Sequence, residues 1–201
     1  PLIARLREQN VIAALGHSDA GYEEATAAIG AGANHVTHLF NAMPALHHRS
    51  PGLAGAALEA DLPCELINDG RHLHPAVLAL VARAISHPVL VTDAIAATGG
   101  GDGTFSLAGQ EVRVADGEAR LSATGSLAGS TLTMSEALRR AVHDSGLGIE
   151  RASAAASAHP ARVLGLDASL GSVAPGRRAD LVVLDDDLQV TAVMAGGAWC
   201  G

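Results

Sequence analysis

Short apolar runs recur along the first half of the chain, each closed by a polar residue and followed by a helix-like stretch. Val11–Leu15, Ala33–Thr37, Cys64–Ile67 and Val89–Val91 read as strands buried on both faces, the signature of a parallel sheet. Leu2–Gln9 predicts a helix ahead of the first strand. Tyr22–Ala31 predicts one after it, with Ser18 or Asp19 as N-cap and Glu23 and Glu24 in the first turn. From Asn41 to Gly55 the pattern fades, and Pro44, Pro51, Gly52 and Gly55 predict an irregular connection. Pro75 opens a helix that runs to Ala84, at a position where its missing N–H is harmless.

After the fourth strand the rhythm changes. A glycine-rich loop, 99–103, leads into alternating runs at Thr104–Leu107, Glu111–Val114 and Ala119–Leu121, which predict a small antiparallel insertion over 104–121. Helices are predicted over Leu132–Asp144 and Ile149–Ala156, with a short one after His159-Pro160, and the stretch from Gly171 onward reads as turn, strand and hairpin. The fold class is therefore α/β, with strand–helix units over 1–170 and a separate small β-segment over 171–201. Such units suit half of a (β/α)8 barrel of the TIM type, a fold that needs roughly 250 residues. A chain of 201 residues that opens on Pro1 is expected to be the carboxy-terminal piece of something longer.

Composition narrows the function. With 48% hydrophobic and 17% charged residues the chain can bury a core, and with only 2% aromatics that core must be Ala, Leu and Val. A net charge of −8 excludes nucleic acid as a partner but leaves a small phosphorylated ligand open. Cys64 and Cys200 are far apart with no metal spacing, which implies a reducing cytoplasm, and no apolar run is long enough for a membrane span.

Candidate chemistry lies at the strand ends, where His17, His38 and Asp93 each close an apolar run. Barrels place their reactive groups at the carboxyl ends of the strands. Two imidazoles and a carboxylate converging there suit a catalytic divalent metal with a base beside it, and so a metal-dependent hydrolase. His35, on the same strand as His38, has at most a supporting role. His47, His48, His74, His87, His143 and His159 read as surface, cap or loop residues.

Six motifs, in order along the chain, carry a resemblance. They are Gly16-His-Ser-Asp-Ala20, Thr37-His-Leu-Phe-Asn-Ala-Met43, Pro51-Gly-Leu-Ala-Gly55, Asp69-Gly-Arg-His72, Val91-Thr-Asp-Ala94 and Leu127-Ala-Gly-Ser-Thr-Leu-Thr-Met134. Together they resemble the N-acetylglucosamine-6-phosphate deacetylase family of the amidohydrolase superfamily. The tail, Pro175 to Leu184, is similar to the closing β-segment of that superfamily.

The resemblance implies that the four strands are the fifth to eighth of the barrel, that His17 and His38 are metal ligands, and that Asp93 is the catalytic acid–base. It implies substrate contacts from Asn41, from the backbone N–H of Ala42, from the segment Asp69, Gly70, Arg71 and His72 (His72 making the direct contact), and from Leu127, Ala128 and Gly129. Arg49 would bind the phosphate from a neighbouring subunit, which implies a homodimer; His48 beside it is a local departure. The implied reaction converts N-acetylglucosamine 6-phosphate into glucosamine 6-phosphate and acetate, in amino-sugar catabolism. Zn2+ is the default ion, and Fe2+ or another divalent cation is compatible with such ligands. The family's remaining acidic metal ligand falls before Pro1, so the chain alone is expected to be inactive. Two alternatives stay open: another amidohydrolase acting on a different amide or base, and a sugar-phosphate-binding remnant without chemistry.

Overall fold

The computed structural model describes residues 2–201; Pro1, on which the expectation of a longer parent partly rests, lies outside the described residues. Strands β1 (Ala14–Leu15), β2 (His35–Val36), β3 (Cys64–Ile67) and β4 (Pro88–Val91) form one parallel sheet in the order β1-β2-β3-β4. Sequential neighbours pairing in parallel need a crossover each time. Helices α2 (Tyr22–Gly30), α3 (Gly52–Glu59) and α4 (Pro75–Ala84) supply those crossovers, and α1 (Leu2–Glu8) precedes β1. The first two strands are shorter than the apolar runs suggest. Pairing nevertheless extends past their ends, with Asn34 N–H donating to Ala13 O and Thr37 N–H to Leu15 O.

Three local expectations are corrected. The stretch read as irregular to Gly55 is helical from Gly52, because burial of Gly52, Leu53, Ala54, Ala56 and Ala57 outweighs the weak helix propensity of its glycines. Helix α2 starts at Tyr22 as expected, but its N-cap is Gly21, not Ser18 or Asp19; the Ser18 hydroxyl accepts from Ala20 N–H in the preceding turn, while Glu24 accepts from Gly21 N–H. The two helices predicted near the end of the unit are one run: α6 (Ile149–Ser153), a π-helical turn over Ala154–Ala158, and α7 (His159–Val163). Pro160 has no N–H for the preceding turn, and the helix widens just before it.

The core lies between the sheet and its helices. Leu39, Leu53, Leu66, Leu78 and Ile85 are its large members, and Ala25, Ala54, Ala57, Ala82 and Ala141 let the helices pack close to the strands. Cys64 is buried there with its thiol pushed up to about 12, chiefly by desolvation. It behaves as a small apolar residue. The small-residue core expected from composition is thus realised.

Beyond β4 the expected insertion is present as β5 (Gly103–Leu107), β6 (Gln110–Ala115) and β7 (Glu118–Leu121), an antiparallel sheet with its own core of Ala97, Val112, Val114, Ala119 and Ala128. Helix α5 (Met134–His143) follows, capped by the Thr133 hydroxyl on Glu136 N–H. The chain ends in a third sheet of β8 (Leu181–Leu184), β9 (Val190–Ala195) and β10 (Ala198–Trp199), in the order β10-β9-β8. Val182, Val193 and Trp199 of this sheet are exposed. Among the described residues, no helix is long and apolar enough to cross a membrane.

Candidate active site

His17, His38, Asp69 and Asp93 share one position in the architecture. Each stands two residues beyond the last residue of its strand: Leu15, Val36, Ile67 and Val91 respectively. Parallel strands run in one direction, so these four polar residues gather at the same edge of the sheet. The backbone there is unusual. His17, His38 and Asp93 have φ of 45°, 28° and 51°, and nearby Phe40 and Ala42 are left-handed too. Non-glycine residues avoid this region, and clusters of such residues mark functional sites.

The two histidines meet. His17 Nε2 and His38 Nε2 are 2.8 Å apart, with ring centroids at 4.6 Å and planes inclined at 66°, so the nitrogen edges face each other. His38 is buried and, among the described residues, its Nδ1 has no hydrogen-bond partner, while His17 is exposed. Two imidazoles aimed at each other fit part of a divalent cation's ligand set. Among the described residues, no third His, Cys, Asp or Glu completes that set. Gly16 makes the approach of β1 to β2 feasible, since a Cβ there would stand 2.8 Å from Thr37 Cβ.

Asp93 is exposed at the end of β4, against Gly129 and Ser130. Ser130 N–H donates to Asp93 O at 2.7 Å, Ile95 N–H donates to Ser130 O, and the Ser130 hydroxyl bonds Thr92 O. Ala128 points into the core of the insertion, and Leu127 is half-buried beside it. Gly129 lies directly against Asp93.

Asp69 and His72 form a tight pair. One Asp69 oxygen accepts the backbone N–H groups of Arg71 and His72, and the other meets His72 Nδ1 at 2.7 Å. Burial pushes the Asp69 carboxyl up, but the hydrogen bonds from the His72 ring and the two amides outweigh it and hold it below the ordinary carboxylate value. An ionised Asp69 therefore orients the His72 ring and leaves its Nε2 for another partner. Gly70 is exposed and faces the Arg140 guanidinium.

The structure uses Arg71 differently from its neighbours. Its guanidinium reaches Glu118 at 2.7 Å and Asp116 O at 2.5 Å, tying the insertion to the loop after β3. Asn41 turns its side-chain amide back on His38 O and Leu39 O, stiffening the turn that follows the histidine. Arg49 is exposed in the loop before α3, with its guanidinium on His48 Nε2 at 2.7 Å.

Sequence reasoning missed Glu65. It stands in β3 among the fully buried Cys64, Leu66 and Ile67, and its carboxylate meets His35 Nε2 at 2.9 Å and the backbone N–H of His38 at 3.2 Å. Burial raises its carboxyl, yet the His35 ring, the His38 amide and both ring charges hold it below the ordinary value. One carboxylate inside an otherwise apolar strand was the available signal.

Comparison with known proteins agrees with this layout. A profile of the amidohydrolase family matches residues 3–200. The chain is 45% identical over 197 residues to N-acetylgalactosamine-6-phosphate deacetylase of Escherichia coli O157:H7, covering 97% of this chain and 52% of that one. It is 42% identical over 205 residues to N-acetylglucosamine-6-phosphate deacetylase of Mus musculus, covering 98% and 50%. Among solved structures, a mutant N-acetyl-D-glucosamine-6-phosphate deacetylase from Mycobacterium smegmatis, in complex with N-acetyl-D-glucosamine-6-phosphate, superposes with a TM-score of 0.94 at 43% identity over 98% of this chain and 53% of that one. The chain thus spans about half the length of the curated relatives it matches. A parallel sheet with paired histidines at its carboxyl edge, matched along nearly the whole sequence, has one placement: the chain belongs to the amidohydrolase family.

Proposed function

We propose that this chain carries most of the catalytic edge of a metal-dependent deacetylase acting on N-acetylglucosamine 6-phosphate. In this reading β1 to β4 are the fifth to eighth strands of a (β/α)8 barrel, and residues 171–201 belong to a small separate β-domain. The observation that carries it is the 2.8 Å approach of the His17 and His38 nitrogens at the edge where Asp93 also stands.

His17 and His38 would hold a divalent cation, zinc by default, which when bound polarises the amide carbonyl and acidifies water. Asp93 takes a proton from the attacking water and returns it to the departing nitrogen as the C–N bond breaks, releasing acetate and glucosamine 6-phosphate. His72, oriented by Asp69, presents Nε2 to the substrate. Asn41 holds the turn that exposes the Ala42 amide, and Leu127 to Gly129 wall the site beside Asp93. The Arg49 fork suits a phosphate dianion, and its exposed loop is compatible with service to a second subunit. A second reading, in which the substrate is the galactosamine epimer, is supported by the name of the relative at 45% identity.

The test is acetate release from both epimers and from unphosphorylated N-acetylglucosamine, by the gene product that contains this chain. Asp93→Asn is expected to keep Zn2+ and substrate binding while turnover falls by about a hundredfold or more. Near-normal turnover in that variant, or equal rates on the unphosphorylated sugar, refutes the reading.

A further inference from the structure

We infer that Glu65 is a positioning residue that sets the affinity of the His17–His38 pair for a divalent cation, by clamping the backbone of His38 rather than its ring. The inference rests on the reading of those histidines as metal ligands. Three contacts carry it. The Glu65 carboxylate accepts the His38 N–H at 3.2 Å, and the Glu65 carbonyl accepts the next amide, Leu39 N–H, at 2.9 Å. The carboxylate's other oxygen meets His35 Nε2 at 2.9 Å, and the ring of His35 is itself buried. One residue of β3 therefore grips two consecutive amides at the end of β2, and His35 fixes the rotamer that does so.

His38 needs such a grip. Its φ of 28° lies outside the regions that a histidine adopts without help, and among the described residues its ring Nδ1 has no partner to hold the imidazole in place. In many metal sites a carboxylate on the second ring nitrogen performs the orienting role. Here no described residue bonds that nitrogen, and the contacts that hold His38 run through its main chain. Glu65 is half-buried in a strand whose other residues, Cys64, Leu66 and Ile67, are fully buried, and its carboxylate is satisfied there by the His35 ring and the His38 amide.

The experiment titrates the metal-free gene product that contains this chain with Zn2+ by calorimetry, with circular dichroism melts on each variant. Glu65→Ala is expected to weaken Zn2+ binding by about tenfold or more, the size of effect usual for outer-shell partners. Glu65→Gln, whose amide oxygen still accepts from the His38 N–H, is expected to stay within about threefold of the parent on the same scale. His38→Ala serves as the control that removes a ligand outright. Folded Glu65→Ala that binds Zn2+ as the parent does, while His38→Ala does not, overturns the inference and leaves the ligand assignment intact. A lowered melting temperature with unchanged affinity marks Glu65 as merely structural and also overturns it. A parent protein that binds no Zn2+ removes the ligand assignment, and the inference falls with it.

Discussion

At position 129 only a hydrogen fits. Gly129 has φ of 65°, and a Cβ there would stand 2.6 Å from Ile95 Cγ2 and 2.8 Å from Asp93 O. Gly129→Ala is expected to cost about 2–4 kcal/mol in urea unfolding, from left-handed strain plus a clash with main chain. An unchanged midpoint would mean that the loop withdraws freely from Asp93. The Asp69–His72 pair makes a prediction in pH. Asp69 titrates below its unfolded value of about 3.9, so its stabilising contribution is complete above that value and disappears as pH falls through the lower folded value. Asp69→Asn has no such proton to take up. The stability gap between parent and Asp69→Asn should therefore hold steady above about pH 5 and narrow as the pH falls below about 4, as read by denaturation at each pH. A gap that stays constant would detach the pair from the stability of the fold.

At the scale of elements, Arg71 is a strap between two sheets. It lies in the loop after β3 yet bonds Glu118 and Asp116 O of the insertion. Arg71→Ala is expected to speed amide exchange in β6 and β7 by roughly fivefold, about 1 kcal/mol, leaving β1 to β4 unaffected. Equal acceleration in the parallel sheet would show a global rather than a local effect. That strap was invisible in the sequence, where Arg71 sits inside a motif that resemblance assigns wholly to substrate. The strand order and the insertion were legible, because runs such as Cys64–Ile67 and the alternation of Glu111–Val114 report burial directly. Helix α3 was not legible, since Pro51, Gly52 and Gly55 are breakers unless packing overrides them. His17 and His38 were legible as strand-end residues. Glu65 was not, because its partners lie on another strand and no spacing along the chain reveals them.

At the scale of the whole molecule, burial is uneven. The parallel sheet and its helices hold the main core, whereas β8 to β10 contribute no buried side chain and leave Val182, Val193 and Trp199 open. Trp199 is the single tryptophan and is 60% exposed, so its emission should match that of free tryptophan and be quenched readily by acrylamide. A protected, blue-shifted signal would mean that this face is covered in solution. The left-handed backbone at His17, His38 and Asp93 has a wider consequence. Each such residue holds the native state back by roughly 1–2 kcal/mol, and glycine in its place would lift that penalty. Under the proposed function, glycine at these three positions would make a hardier protein stripped of its imidazoles and its carboxylate, so the three torsion angles mark where reactivity and durability pull apart.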